Sequence, residues 1–357
     1  MEMLGKNIFL QLPTRIFNGF RGASLFAIGF RTKFTMSKPK VFVTRPDIPL
    51  EAINLLKERS EVSMWLEPMP VPREVLLENV KGKNAIFCTL TDRIDKELIE
   101  RAGPTLRVVG TMSVGYDHID TTELRSQGIR LGYTPDVLTD SVADLTVGLI
   151  LATSRRFFEA NRAILNGMWA SWSPMWMCGQ GLKDSTVGIV GFGRIGKAVA
   201  KRLEPFGVKQ FLYCSRSRKD YETEINAHYV TLDHLLMQSD FVVVTCSLTK
   251  ETTKMFGNES FGKMKSGAIF INTSRGDLVD QDALVKALRD KRIAAAGLDV
   301  MSPEPLPSNH ELLKLDNCVI LPHIGSATLS TRTDMALLTA QNILAALEGK
   351  PMPAELT

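Results

Sequence analysis

The chain has 357 residues, a length that suits two domains of ordinary size. Hydrophobic residues make up 44% of it and charged residues 23%, so the composition excludes a disordered, collagenous or coiled-coil chain. The net charge of +4 is concentrated in the first 38 residues, and the remainder is close to neutral. We therefore expect no nucleic-acid partner, and no apolar run is long enough to predict a membrane span.

Residues 1–38 form a basic leader in which Arg or Lys alternates with Phe, Leu and Ile. That pattern is typical of a mitochondrial targeting segment. An unstructured tail, or an alternative start upstream of Met36, explains it equally well. The sequence therefore predicts a cytoplasmic protein, or a mitochondrial one if the leader is a targeting segment.

From residue 40 onwards, short β-branched runs alternate with helical patterns, which indicates parallel strands joined by crossover helices. The first series of such units contains no phosphate-binding glycine loop. Its predicted strands are 41–44, 62–65, 85–89, 106–111 and 129–132, and its predicted helices are 50–59, 73–80, 96–101 and 121–127.

A single long helix is predicted next, from about 141 to 164, with Asp140 or Ser141 as its N-cap. The second series follows with six predicted strands, enough for a complete doubly wound sheet. These strands are 186–190, 210–213, 241–245, 268–272, 294–299 and 318–321. A final amphipathic helix at 330–348 has an apolar face that needs a surface to cover.

The predicted fold class is therefore α/β, with two doubly wound domains. A smaller, flavodoxin-like substrate domain is expected at 39–138 plus 325–357, which makes it discontinuous. A Rossmann NAD(P)-binding domain is expected at 139–324.

Residues 191–196 read GFGRIG and lie between a predicted strand and a predicted helix. In that setting the first glycine makes a tight turn, the second lets backbone approach a pyrophosphate, and the third lets helix pack on strand. A GxGxxG alone is weak evidence, but the surrounding elements strengthen it. The cofactor-binding residues predicted here are Gly191, Gly193, Arg194, Ile195 and Gly196.

The end of the next strand distinguishes the two nicotinamide dinucleotides. An NAD-specific site has an Asp or Glu there, whereas this chain has Arg216, Ser217, Arg218 and Lys219 and no carboxylate until Asp220. Arginines can pair with a 2′-phosphate that a carboxylate would repel. The sequence therefore favours NADP(H), with NAD(H) as a second cofactor; the alternative is a solvated basic loop.

Three polar side chains follow predicted strands of the second series, where doubly wound folds bind ligands. They are Arg275, Glu304 and His323, and no other histidine of the five is placed in this way. Reduction of a 2-oxo acid needs a cation for the carboxylate, a proton donor for the developing alkoxide and a partner for the donor. Arg275 or Glu304 alone would more often be a salt bridge or a cap, but the matched set of three favours an active site. The widely spaced cysteines predict no metal site.

The chain from about residue 40 onwards resembles the D-isomer-specific 2-hydroxyacid dehydrogenases, and within them the reductases of glyoxylate and hydroxypyruvate. The motifs that carry the resemblance occur in order and span both predicted domains. They are TMSVGYDHID at 111–120, GYTPDVLTD at 132–140, GFGRIG at 191–196, NTSRGD at 272–277, AAAGLDVMSPEPLP at 294–307 and LPHIGSAT at 321–328.

The resemblance implies a role for each matched residue. Arg275 would bind the substrate carboxylate and carbonyl, His323 would be the general acid in reduction, and Glu304 would hydrogen-bond His323. The other substrate-binding residues that it implies are Asp299, Ser326 and the backbone of Val114 and Gly115. The remaining cofactor-binding residues that it implies are Ser247, Thr273 and Gly325.

The resemblance also implies a homodimer whose long helix and following loop cross into the partner. Trp172 would then lie beside the neighbouring subunit's substrate, although packing at the interface is the plainer explanation of the tryptophans there. A different class of protein remains open, because dinucleotide-sensing corepressors share this fold and the Arg, Glu and His set. Other D-2-hydroxyacid dehydrogenases are a nearer alternative; of these, neither the formate nor the phosphoglycerate dehydrogenases would be expected to have the pair Arg216 and Arg218.

Overall fold

The computed structural model describes residues 37–357, which form two parallel β-sheets flanked by helices. Residues 1–36, which hold nearly all of the predicted targeting segment, lie outside the described residues. Within residues 37–357, no helix combines the length and the apolar character that a membrane span requires.

The first sheet is built from short strands, of which β3 and β4 consist of buried residues throughout. Its strands are β1 (Lys40–Val43), β2 (Glu61–Met64), β3 (Ala85–Cys88), β4 (Val108–Thr111) and β5 (Arg130–Gly132). Its helices are α1 (Leu50–Arg59), α2 (Arg73–Asn79), α3 (Lys96–Ala102) and α4 (Thr121–Ser126). The strand order β2-β1-β3-β4-β5 is that of flavodoxin-like folds.

The predicted helix over 141–164 is wrong, because the chain forms two helices there. Helix α5 (Thr139–Ser154) and helix α6 (Phe157–Leu165) are separated at Arg156, whose φ of 56° is left-handed. Neither Asp140 nor Ser141 is the N-cap, since α5 follows Leu138 without a side-chain cap. The environment changes at the break: α5 packs along the second sheet, whereas only Ala163 of α6 is buried.

The second sheet has seven parallel strands, not the six that were predicted. Its strands are β6 (Thr186–Val190), β7 (Gln210–Cys214), β8 (Ala227–Tyr229), β9 (Phe241–Val244), β10 (Ile269–Asn272), β11 (Ala295–Leu298) and β12 (Cys318–Ile320). The helices between them are α7 (Arg194–Leu203), α8 (Leu232–Gln238), α9 (Asn258–Lys263) and α10 (Gln281–Arg289). Strand β8 was missed because it is a short edge strand with one buried residue, and so has no apolar run.

The strand order β12-β11-β10-β9-β6-β7-β8 is that of a Rossmann fold with one further strand. The order reverses at β6, which lies between β7 and β9. In such sheets ligands bind outside the carboxyl ends of the strands, at the point of reversal. The predicted α/β fold class with a Rossmann sheet is confirmed.

The last helix, α11 (Leu329–Leu347), packs against α1 and the first sheet. Asn342 of α11 donates to the carbonyl of Tyr133 and accepts from the amide of Ala354, which fastens the C-terminal segment there. We call β1–β5, α1–α4 and α11 the first lobe, and α5, β6–β12 and α7–α10 the second lobe. The chain crosses between the lobes after β5 and again after β12, at the carboxyl ends of both strands.

Candidate active site

Arg275, Glu304 and His323 follow β10, β11 and β12, three strands that are neighbours in the second sheet. Because the strands are parallel, the three loops meet at one edge of the sheet. A hydrogen bond joins His323 to Glu304, with 2.8 Å between Nδ1 and Oε2, and the charge of Arg275 acts on the Glu304 carboxylate. The structure thus brings together the three residues that the sequence singled out.

The Glu304 carboxylate binds two donors at once. Its Oε2 accepts from His323, and its Oε1 accepts from the backbone amide of Met301 at 2.9 Å. Burial alone would raise the pKa of Glu304, but the hydrogen bond and charge of His323, with the Met301 amide and the charge of Arg275, together lower this pKa. With Nδ1 of His323 held by the carboxylate, Nε2 is the ring atom left to exchange a proton with a ligand.

Asp299 holds the loop that carries His323. It is 1% exposed, and its two oxygens accept from the amides of Ile324 and Gly325, both at 2.8 Å. Burial raises the pKa of Asp299. His323 has a φ of 55°, a left-handed conformation that costs energy for a non-glycine residue. The two hydrogen bonds offset that cost and so fix where the imidazole stands.

The turn that carries Arg275 is held from within the sheet. Asn272 is fully buried; its side-chain amide donates to the carbonyl of Arg275 at 2.8 Å, and its oxygen accepts from the amide of Ser274 at 3.0 Å. The next residue, Gly276, lies against the backbone of Met301, and a Cβ on it would overlap that backbone. The loops after β10 and β11 therefore pack without a gap.

The Arg275 guanidinium contacts the first lobe. Its Nε donates to Oδ1 of Asp117 at 2.9 Å, and its Nη2 lies where a Cβ on Gly115 would be. The predicted substrate-binding backbone of Val114 and Gly115 is therefore next to Arg275. Sequence reasoning missed Asp117, although it stands two residues after Gly115 in the motif TMSVGYDHID.

The glycine loop after β6 has the geometry that a pyrophosphate requires. A Cβ on Gly191, which has a φ of 97°, would overlap the backbone of Cys246, and a Cβ on Gly196 would overlap the carbonyl of Gly191. At Gly193, by contrast, no atom lies within 4 Å of the Cβ position. Helix α7 begins directly after it, at Arg194, with no side-chain cap. Its first amides, including that of Ile195, are not capped by a side chain and suit an anionic group.

The other predicted cofactor residues lie along the same edge of the sheet. Thr273 follows β10 and hydrogen-bonds Thr146 of α5 at 3.0 Å. Ser247 follows β9, and its carbonyl accepts from the hydroxyl of Thr252. Gly325 and Ser326 follow β12, and Arg194 forms an ion pair with Asp136 in the first crossing between the lobes.

Of the two arginines in the loop after β7, one has a partner among the described residues and the other has none there. Arg218 donates from Nε to Oε1 of the buried Glu222 at 2.6 Å, whereas the exposed Arg216 forms no ion pair with any residue in 37–357. Tyr213 donates from its hydroxyl to Glu222 at 2.5 Å and accepts from the amide of Lys219. The hydrogen bonds from Arg218 and Tyr213 lower the pKa of Glu222. Sequence reasoning missed Glu222, whose position four residues after Arg218 was the available signal.

Trp172 is 81% exposed in the single chain, and it is not alone. We call residues 157–177, which comprise α6 and the segment after it, the arm. Other large apolar side chains of the arm are exposed as well: Phe157, Phe158, Ile164, Leu165, Met168, Trp169, Met175 and Trp176. A patch of this kind on a protein surface marks an interaction site.

The family model for the NAD binding domain of the D-isomer specific 2-hydroxyacid dehydrogenases matches residues 147–325. Among curated relatives, the glyoxylate reductase/hydroxypyruvate reductase of Mus musculus is 53% identical over 320 residues, which cover 89% of this chain and 97% of that protein. The chain belongs to the D-isomer specific 2-hydroxyacid dehydrogenase family. The predicted family is thus confirmed, and the protein is an NAD(P)-dependent oxidoreductase that acts on CH–OH groups.

Solved structures of similar chains confirm the fold of this dehydrogenase. A protein of Thermus thermophilus has a TM-score of 0.83 and 43% identity, over 89% of this chain and 100% of that chain. The NADPH-dependent glyoxylate/hydroxypyruvate reductase of Sinorhizobium meliloti, in complex with NADP and malonate, has a TM-score of 0.79 and 30% identity, over 90% of this chain and 97% of that one.

Proposed function

We propose that the protein reduces glyoxylate to glycolate and hydroxypyruvate to D-glycerate, with NADPH as the preferred reductant. The observation that carries the proposal is the contact of 2.8 Å between His323 and Glu304, beside a guanidinium, at one edge of the Rossmann sheet. The identity of 53% with the murine glyoxylate reductase/hydroxypyruvate reductase supports the choice of substrates.

Each residue around the cleft between the two lobes has a separate role in the reduction. The nicotinamide cofactor, when bound, supplies the hydride for C2 of the 2-oxo acid. Arg275 pairs with the substrate carboxylate, and the backbone amides of Val114 and Gly115 bind it from the first lobe. Protonated His323 gives its Nε2 proton to the carbonyl oxygen as that oxygen becomes a hydroxyl. Glu304 stabilises the imidazolium and keeps its ring in place, in the manner of a catalytic dyad.

The two crossings between the lobes are where the cleft would close. The first contains Asp136, whose φ of 70° is left-handed, and the second contains Pro322 and His323. Closing there would exclude water from the reacting atoms and bring Val114 and Gly115 onto the substrate.

The preference for NADPH rests on the loop after β7. A 2′-phosphate brings up to two negative charges, and Arg216 is exposed without a protein partner among residues 37–357. The similar S. meliloti protein is NADPH-dependent, which supports the same preference here. Glu222 neutralises Arg218, so Arg216 is the main cation for the phosphate and NAD(H) stays a second cofactor.

We infer that the protein is a homodimer in which a second copy covers the arm, with Trp172 beside the partner's substrate site. The exposed apolar side chains of the arm support this, because burying them would remove a large apolar surface from water. Sedimentation velocity should give twice the chain mass, and Trp172→Ala should weaken the dimer. A wild-type protein that sediments as a monomer at micromolar concentration contradicts the dimer.

Initial-rate kinetics test the proposed function. NADPH and NADH oxidation would be followed separately with glyoxylate, hydroxypyruvate and pyruvate. We expect rapid turnover of hydroxypyruvate and glyoxylate, slower turnover of pyruvate, and a higher kcat/KM with NADPH than with NADH. Tight cofactor binding with negligible turnover on every acid would instead favour the dinucleotide-sensing class of protein.

A further inference from the structure

We propose that Asp117 is a positioning residue for Arg275, and that it fixes the carboxylate-binding edge of the guanidinium from the opposite side of the cleft. The inference rests on the proposed function, since it concerns how the same site binds a 2-oxo acid. It adds a side chain of the first lobe to those of Arg275, Glu304 and His323, which all come from the second lobe.

The protein already engages two of the three guanidinium nitrogens of Arg275. Nε donates to Oδ1 of Asp117 at 2.9 Å, and Nη1 donates one hydrogen to the carbonyl of Ser274 at 2.8 Å. Nη2 makes no hydrogen bond within residues 37–357 and lies beside the Cα of Gly115, where a side chain would overlap it. The edge formed by Nη1 and Nη2 is therefore the one that remains for two parallel bonds to a carboxylate.

Asp117 is itself held in a rigid loop. The hydroxyl of Ser113 donates to the carbonyl of Gly115 at 2.6 Å and hydrogen-bonds the hydroxyl of Thr111 at 2.8 Å. Thr111 in turn hydrogen-bonds Nε2 of His118 at 3.1 Å. Burial lowers the pKa of His118 to about 4, so this ring is neutral in the loop at physiological pH. The loop thus presents the Asp117 carboxylate at a defined place after β4.

The pair joins residues 158 positions apart in the chain, one on each lobe. The Asp117 side chain is 32% exposed and that of Arg275 is 18% exposed, so water screens the pair only in part. Burial alone would raise the pKa of Asp117, but the charge and hydrogen bond of Arg275 outweigh burial and lower this pKa. The carboxylate is therefore ionised when substrate binds.

Without Asp117, the long Arg275 side chain would keep only the Ser274 carbonyl as an anchor. The guanidinium could then rotate away from the edge that a carboxylate needs, and binding would have to order it again. Because Val114 and Gly115 belong to the same loop as Asp117, the ion pair also aligns the two halves of the proposed carboxylate site. A change at Asp117 should therefore affect binding of the acid and leave binding of the dinucleotide alone.

The test compares Asp117→Ala and Asp117→Asn with Asp120→Ala. Asp120 belongs to the same loop, but its carboxylate only caps α4 by accepting from the amide of Glu123. For each variant we would measure kcat and KM for hydroxypyruvate, inhibition by oxamate as a carboxylate analogue, the Kd for NADPH by fluorescence, and the Tm.

We expect Asp117→Ala to raise the KM and the oxamate inhibition constant by about 10- to 100-fold, with an unchanged Kd for NADPH. Asp117→Asn should raise both constants less, because the amide oxygen of Asn still accepts a hydrogen bond from Nε of Arg275. Asp120→Ala should lower the Tm without changing inhibition by oxamate. If Asp117→Ala does not fold, Asp117→Asn still tests the proposal, with a smaller rise in the same two constants expected.

A double-mutant cycle separates positioning from a general structural role. In an Arg275→Lys background, Asp117→Asn should change kcat/KM by less than about twofold, because the lysine cannot use the same anchor. The inference would be overturned if the losses of kcat/KM in Asp117→Asn and Arg275→Lys simply multiply in the double variant. Wild-type kinetics in both Asp117 variants would overturn it as well. Unchanged turnover in Arg275→Ala would overturn the proposed function itself, which is a different result.

Discussion

The ligand-facing edge of the second sheet has two ends, and they differ in how far their charged side chains are paired. Around β10, β11 and β12 the charged side chains are paired: His323 with Glu304, and Arg275 with Asp117. After β7, Arg218 is paired with Glu222, but Arg216 is exposed and forms no ion pair with the described residues.

The difference is explained by the role that we propose for each end. A group that transfers a proton or aligns a carboxylate must stand at one place, and a partner of opposite charge holds it there. A group that distinguishes two dinucleotides by one phosphate gains most when the ligand supplies its partner, because no protein pair has to be broken first.

The largest effect is expected at the paired end, from loss of the proton donor. His323→Ala should lower kcat for hydroxypyruvate by about 10²–10⁴-fold, because the variant lacks the imidazole Nε2 that would protonate the developing alkoxide. The Kd for NADPH, measured by fluorescence, should be unchanged. His234→Ala is the matched control, since His234 is exposed on α8. Wild-type turnover in His323→Ala would remove this residue from the mechanism.

A smaller effect is expected from removing the charge of its partner. Because its pKa is lowered, Glu304 is ionised at neutral pH, and Glu304→Gln removes a negative charge from His323. Glu304→Gln should then lower kcat for hydroxypyruvate by less than His323→Ala does, since Gln still bonds the ring but brings no negative charge beside it. Wild-type kcat in Glu304→Gln would show that the hydrogen bond of Glu304 matters and its charge does not.

The same pair has a consequence for stability. A carboxyl group whose pKa is lowered on folding stabilises the fold above its usual pKa, and this contribution is lost as the pH falls through the folded value. The wild-type Tm should therefore fall more steeply than that of Glu304→Gln as the pH is lowered below about 4.5.

The smallest effects are expected after β7, where, as proposed, the 2′-phosphate of the ligand would be the partner of Arg216. Arg216→Ala should weaken binding of 2′,5′-ADP by about tenfold, as expected for one charge-assisted contact, and Arg218→Ala should weaken it less. Glu222→Gln should strengthen it slightly, because Arg218 is then no longer neutralised. Calorimetric titration with 2′,5′-ADP, and with 5′-AMP as the control, measures these changes. Equal losses in both arginine variants would mean that Arg218 leaves Glu222 to bind the phosphate.

Much of the fold could be predicted because its signals are local. The strands are short β-branched runs, and the glycine loop stands between a strand and a helix within a few residues. Strand β8 gave no such signal because it lies at an edge, with two of its three residues exposed. The break at Arg156 was hidden because a helical pattern continues through it, while the packing of the chain changes there.

The sequence by itself determined the fold class, the family and the positions of Arg275, Glu304 and His323 at strand ends, because residue type and distance along the chain carry that information. The resemblance already implied that His323 pairs with Glu304, but only the tertiary structure decided the pairs of Arg275 with Asp117 and of Arg218 with Glu222. Asp117 and Arg275 are 158 positions apart, and strand order and lobe packing bring them together. Glu222 is near Arg218 in the chain, yet only the buried hydroxyl of Tyr213 shows where its carboxylate points. Pairing of this kind depends on the distance between atoms in space, which the order of residues does not contain.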